Sequence, residues 1–287
     1  MPTSLTWGVA LAVLFGAFLH AGWNALVKSS EDKALDTAAL HVAGALLVLP
    51  ILAFTGLPPA AAWPWLLASM AIHVGYYLTL TGAYEHGELG LTYPLMRGTA
   101  PMLVALSSGA VLGEALSPAA WAGAIGICTG VLVLGLSRQA LARPKALAFA
   151  LANAVAIALY TVVDGLGVRA ATREGGHALQ YVAMLFLLNG WPFAAIVVRR
   201  RGLRVSAAYL RQRFPPATLG AAASLAAYGI ALWAMTRAPV AVVAALRETS
   251  VLFAALLGTW FLKEAFTARR ALGTAVIVAG VVALRLG

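Results

Sequence analysis

LTYPLMRGTAPMLVALSSGAVL (Leu91–Leu112) and VAVVAALRETSVLFAALLGTWFL (Val240–Leu262) are apolar stretches of membrane-spanning length, each with one arginine inside it. An arginine well inside hydrocarbon costs about 2.5–3.5 kcal/mol even on the lenient insertion scale. Shifting the first stretch by 150 residues lays Arg97 on Arg247, Thr99 on Thr249, Ala105 on Ala255 and Leu112 on Leu262. The same shift brings Glu114 onto Glu264, Gly123 onto Gly273, Ile127 onto Ile277 and Gly130 onto Gly280. A shift of 140 brings His20 onto Tyr160 and Asn24 onto Asp164. The basic segment Arg199–Arg213, read as a loop, absorbs the difference of ten.

Composition agrees with a membrane chain. Of 287 residues, 62% are apolar and 10% charged, where soluble domains carry about a quarter charged. The net charge of +10 reads as Lys and Arg in short loops beside apolar spans, not as a nucleic-acid surface. Cys128 is the single cysteine, which excludes an internal disulfide and a thiolate metal cluster. No cofactor or metal is implied. Met1–Thr6 lacks the basic start of a signal peptide, so the first apolar span is expected to stay in the membrane.

Ten spans of about 20 residues, the length a bilayer needs, are predicted near 5–27, 34–55, 63–84, 90–112, 118–137, 145–164, 177–198, 215–236, 239–262 and 268–286. Turn signals separate them, among them Gly56-Leu57-Pro58-Pro59, Glu85-His86-Gly87-Glu88, Ser117-Pro118, Arg143-Pro144, Gly175-Gly176, Pro215-Pro216 and Ala238-Pro239. The fold class is thus all-α integral membrane, with five helices at residues 1–140 and a second five-helix copy at residues 141–287. Five crossings leave the chain on the far side, so the second copy starts inverted, the architecture of many secondary transporters. Fourteen Lys and Arg fall in the odd-numbered connections and four in the even ones with the C-terminus. That bias puts the odd connections in the cytoplasm and both termini outside. Ser206–Phe214 reads as a short basic helix on the inner leaflet.

The chain resembles the drug/metabolite transporter superfamily in its ten-helix EamA type. The resemblance rests on the repeat and on two signatures. Leu112-Gly113-Glu114-Ala115-Leu116-Ser117 is followed by Gly123 and Gly130, and Leu262-Lys263-Glu264-Ala265-Phe266-Thr267 by Gly273 and Gly280. His20-Ala21-Gly22-Trp23-Asn24-Ala25-Leu26-Val27-Lys28 and Tyr93-Pro94-Leu95-Met96-Arg97-Gly98 are similar to the family too, the latter to a branch associated with phosphonate use. The resemblance implies secondary transport, often export, of small metabolites, amino acids or drugs across a cell (inner or plasma) membrane, and no enzymatic activity. Cation-transporting relatives rely on a carboxylate in the first helix. Here His20 and Asn24 stand there, and the carboxylate is Asp164 in the second copy.

Tyr93, Arg97 and Pro101 share one helix face, and Pro94 and Pro101 are expected to free backbone carbonyls toward a wet cavity. Arginine's planar fork fits a carboxylate or phosphonate, so Arg97 and Arg247 are expected to hold a substrate's acid group. The competing reading is a structural ion pair, with Arg247 held by Glu248, Asp164 or Glu85. His20, Trp23 and Asn24, with Asn153, Tyr160 and Asp164, form polar stripes facing the interior. Asn24 and Asp164 are placed near helix ends. A proton on His20 or Asp164 is the candidate coupling ion. His73 and Tyr77 line one wall of the expected site, and its counterpart in the eighth span is small except for Trp233. Glu114 and Glu264 read as cap or loop partners. The expected function is transport of a small anionic or zwitterionic metabolite by alternating access, as a monomer or homodimer. The alternative is export of drugs, organic cations or aromatic amino acids. No nucleophile–base pair or acidic cluster supports an intramembrane enzyme.

Overall fold

A computed structural model describes residues 5–28, 30, 32–87, 89–135, 143–262 and 267–286. The fusion stretch 136–142, Glu88 and the acidic turn Lys263–Phe266, with Glu264, lie outside the described residues. Those described form helices and short connections, without a β-strand among them. In order they are α1 (Trp7–Lys28), α2 (Lys33–Thr55), a 3-10 turn (Ala60–Ala62), α3 (Trp63–His86) and α4 (Leu89–Ser107) with a π-turn (Ser108–Leu112). Then come α5 (Pro118–Gly135), α6 (Pro144–Arg173), α7 (Ala178–Arg201), α8 (Leu203–Met235), α9 (Val240–Arg247), α10 (Ser250–Leu262) and α11 (Ala268–Leu286). Among the described residues, seven stretches are long and apolar enough to cross a membrane, and Pro118–Leu134 is a shorter apolar helix.

The helices carry large apolar side chains on their outer faces as well as in the core, unlike a soluble bundle. On α1, Trp7, Leu11, Phe15 and Phe18 are exposed, while Val9, Val13, Ala17 and Ala21 are buried. On α6, Leu151, Val155 and Leu159 face out, and Asn153, Tyr160 and Asp164 face in. Lipid covers the first set, and the second finds partners in the protein. The main packings are α1 on α8, α3 on α6, α2 on α7 and α5 on α11. α5 and α11 meet through glycines. A Cβ on Gly123 would strike Leu284 and the Gly280 carbonyl, and one on Gly130 would strike Ile277 and the Gly273 carbonyl. Small residues let membrane helices approach to backbone contact, where dispersion holds them.

Pro94 and Pro101 lie inside a continuous α4, where each lacks the N–H that would bond to the carbonyl four residues back, Gly90 and Arg97; a full break falls between α9 and α10, at Glu248–Thr249. Three expectations are corrected. Pro215 and Pro216 lie inside α8, so the basic segment is helical from Leu203. The carbonyls they strand belong to Arg211 and Gln212, exposed residues whose backbone water can serve. α6 runs on to Arg173, so Asp164 sits well inside it and not at an end. The span was cut short by its charges, but Asp164 and Arg169 are paired within the protein. The eighth helix is not a small wall, because Tyr228 projects from it into the centre.

End contacts join connections of like parity. At one end Asp32 pairs with Arg201 (3.0 Å), Asp36 with Arg213 (3.2 Å), and His86 stacks on Phe149 (5.4 Å between centroids). At the other, Glu174 accepts from Ala61 N and Gln180 donates to the Thr55 carbonyl. Arg285 of α11 lies over the Trp7 ring of α1 at 4.6 Å.

Candidate functional site

α9 is enclosed on every side: Val240 through Leu246 are all buried, among α1, α4, α5, α6 and α8. Its small, aliphatic sequence suits that position. It ends where the polar string Arg247-Glu248-Thr249-Ser250 begins. There the backbone tightens to three-residue bonds, Glu248 N to Ala245 O (3.0 Å) and Thr249 N to Leu246 O (3.2 Å), before α10 starts. Thr249 Oγ1 donates to the Leu246 carbonyl at 2.7 Å, completing the break. Arg247 thus stands at a helix C-terminus, where the partial negative charge favours a cation.

The two arginines differ. Arg97, 7% exposed, places Nε 2.7 Å from Glu248 Oε2. The two atoms are out of line for a hydrogen bond, and Arg97 Nη2 has no hydrogen-bond partner. Arg97 belongs to α4 and Glu248 to the α9–α10 break, so the ion pair crosses the proposed boundary between copies. Arg247 is half-buried and makes no ion pair among the described residues. Its guanidinium lies over the Tyr228 ring at 4.9 Å, a cation–π contact. Glu248, one of three partners weighed for Arg247, pairs with Arg97 instead, in keeping with the separation of about 100° between neighbours on a helix. Both arginine charges reach His20, Tyr93 and Tyr160.

Behind Tyr228 lies Asp164, fully buried. Tyr228 Oη donates to its Oδ2 at 2.5 Å and Tyr181 Oη to its Oδ1 at 3.0 Å. Ser69, whose hydroxyl lies 3.3 Å from His73 Nδ1, also acts on Asp164. His73 stacks on Tyr160 at 4.4 Å, and Tyr76 meets Tyr160 edge-on at 5.9 Å. Asn153 Nδ2 donates to the Tyr76 carbonyl (2.9 Å) and to Thr79 Oγ1 (3.0 Å), which holds α3 against α6.

The structure thus brings together Arg97, Arg247, Tyr93, His20, Tyr160, Asp164 and His73 from the expected set. Trp23 stands edge-on to His20 at 5.1 Å with its indole N–H unpartnered, and Asn24 donates to the His20 carbonyl at 2.7 Å. Tyr77 turns the other way, hydrogen-bonded to His41 and packed on Phe193 at 4.9 Å. Trp233 lies under Arg237 at 4.9 Å near the end of α8, and no described contact joins it to the arginines. Tyr228, Ser69 and Tyr181 escaped the sequence reading, and Glu248 entered it only as a possible partner of Arg247. Glu248 was legible as a second charge inside an apolar span; a lone mid-span Tyr228 carries no such signal.

Glu114 accepts from Arg169 Nη2 at 2.5 Å and from Val240 N at 2.9 Å, capping α9. Arg169 also donates to the carbonyls of Met235 (2.7 Å) and Ala238 (3.1 Å). Ser117 and Thr267 cap their helices through Ala120 N (3.0 Å) and Arg270 N (3.3 Å).

A family model described as EamA-like transporter family matches residues 144–286. The chain belongs to that family, within the drug/metabolite transporter superfamily. This EamA-like protein is accordingly a multi-pass membrane transporter. No curated protein matches it. Among solved structures 28 chains match; one crystal structure, 21% identical over 99% of both chains, superposes with a TM-score of 0.73. At that identity the likeness speaks for the fold.

Proposed function

We propose that the chain is a ten-crossing carrier in the cell (inner or plasma) membrane, made of two inverted five-helix copies, residues 1–140 and 141–287. Exchanging the copies maps the main packings onto themselves: α1 on α8 becomes α6 on α3, while α2 with α7 and α5 with α11 are self-paired. Gly123 against Gly280 likewise becomes Gly273 against Gly130. The like-parity end contacts, including Arg285 over Trp7, agree with an even number of crossings. The family model's fit to residues 144–286 alone also favours the division.

The proposed cargo is a small metabolite bearing an acid group, zwitterions such as amino acids or aminophosphonates foremost. One observation carries this reading: Arg247 is a part-exposed guanidinium that makes no ion pair among the described residues, facing a polar centre inside apolar helices. It supplies the cation for the acid group. Glu248 offers an anion for an ammonium group once Arg97 swings aside, and Tyr76, Tyr93, Tyr160 and Tyr228 supply faces for stacking. Alternating access then follows from rocking of the two copies about α4 and α9–α10. The aromatic walls also suit aromatic amino acids, the alternative cargo, and organic cations are the competing class.

Thermal-shift screening of purified protein against amino acids, phosphonates, phosphorylated sugars and organic cations tests the reading. A bound acid raises the melting temperature by mass action, and Arg247→Ala abolishes the shift. A response confined to organic cations overturns it.

A further inference from the structure

We propose that Asp164 is a proton-binding site whose occupancy rises when an acid group binds Arg247, so that solute and proton move together. The inference rests on the assignment of Arg247 to substrate capture.

Asp164 is 0% exposed, and no cation stands within ion-pair distance of it among the described residues. Its oxygens are held by Tyr181 and Tyr228, hydroxyl donors without charge, and Ser69 also acts on it. The groups facing it are Ser69 with His73 behind it from α3, Tyr181 from α7, Tyr228 from α8 and Arg247 from α9. On α6 itself Tyr160 lies one turn away, and through it come Tyr93 and Arg97 of α4. The 3-10 turn contributes three alanines. Arg97 is committed to Glu248. Arg247, on the face of Tyr228, is therefore the cation that balances the Asp164 charge.

An acid group bound to Arg247 takes that balance away. A buried carboxylate left without a counter-charge is costly, and it neutralises by taking a proton from water. The O–H bond forms on Asp164, and charge is conserved because the incoming acid group replaces the carboxylate as the anion beside Arg247. Linkage is reciprocal, so the proton also tightens solute binding. The loaded carrier then holds both ligands. An inward proton gradient would drive uptake through it, opposite to the export that the family resemblance implies.

The test uses the full chain in detergent, lightly buffered, with a pH dye. The probes are L-glutamate, L-phenylalanine and methylphosphonate, each adjusted to the protein's pH. The melting shift reads binding separately. For a probe that binds, about one proton is expected to leave solution per molecule bound, and the affinity to strengthen by up to about tenfold per unit fall in pH. Asp164→Asn, which keeps the side chain's shape, should bind without proton uptake. A melting shift with no uptake, or uptake undiminished in Asp164→Asn, overturns this proposal alone. No shift with any probe overturns the substrate assignment, and this proposal with it. Should Asp164→Asn fail to fold, infrared difference spectra of the unaltered protein decide: a protonated-carboxyl band grows on adding the probe, or the proposal is wrong.

Discussion

Arg97 and Arg247 look alike in the sequence and do different work in the structure. Truncating Arg97 leaves Glu248 buried without its ion-pair partner, with only the more distant Arg247 charge acting on it, which costs about 3–5 kcal/mol. Arg97→Ala should therefore unfold early in a thermal melt and lose transport for that reason. Replacing both partners, Arg97→Met with Glu248→Leu, should restore most of the stability, because two apolar side chains carry no desolvation cost. If the double variant melts no higher than the single one, the pair is not the structural element described here. Arg247→Ala removes a cation–π contact of about 0.5–2 kcal/mol and the nearby charge that acts on Asp164 and Glu248, but no direct ion pair among the described residues. It should melt below the unaltered protein but above Arg97→Ala, while losing solute binding. The sequence marked both arginines because guanidinium groups are conspicuous in hydrocarbon. It could not rank them, because their partners come from helices far along the chain.

Among the helices, α5 and α11 pack where glycines let them touch. Gly130→Val should destabilise the protein by about 1–3 kcal/mol through overpacking against Ile277 and the Gly273 backbone. Gly8, with open space around it, is the control and should tolerate alanine; equal losses at both positions would refute the close-packed seam. The connection at the start of α9 depends on Glu114. Glu114→Ala removes the partner of Arg169 and the cap on Val240, and should cost about 3–5 kcal/mol, measurable as a lowered denaturation midpoint. Glu114 was legible as a cap partner from its place beside Gly113 and before Ser117, whose turn chemistry is local. The continuity of α6 and α8 was not. Charges and prolines that end a soluble helix are tolerated when neighbouring helices, or water at the membrane edge, satisfy the groups they expose.

Over the whole molecule, the like-parity end contacts predict sidedness. Cysteines placed at Glu174 and at Arg201, in a Cys128→Ser background, should react with a membrane-impermeant maleimide from opposite sides of a sealed vesicle. Labelling of both from one side would break the ten-crossing scheme. By itself the sequence determined that this is a helical membrane protein and where most of its apolar helices lie, although two of them run about ten residues past the bounds it suggested. Those properties follow from length, polarity and periodicity, which are local. Which arginine is neutralised by Glu248, that Tyr228 joins Arg247 to Asp164, and that Tyr77 faces His41 instead of the centre were decided only by tertiary structure. A buried charge is set by whatever stands across from it, and between helices that depends on the angle and register of packing, which no single span encodes.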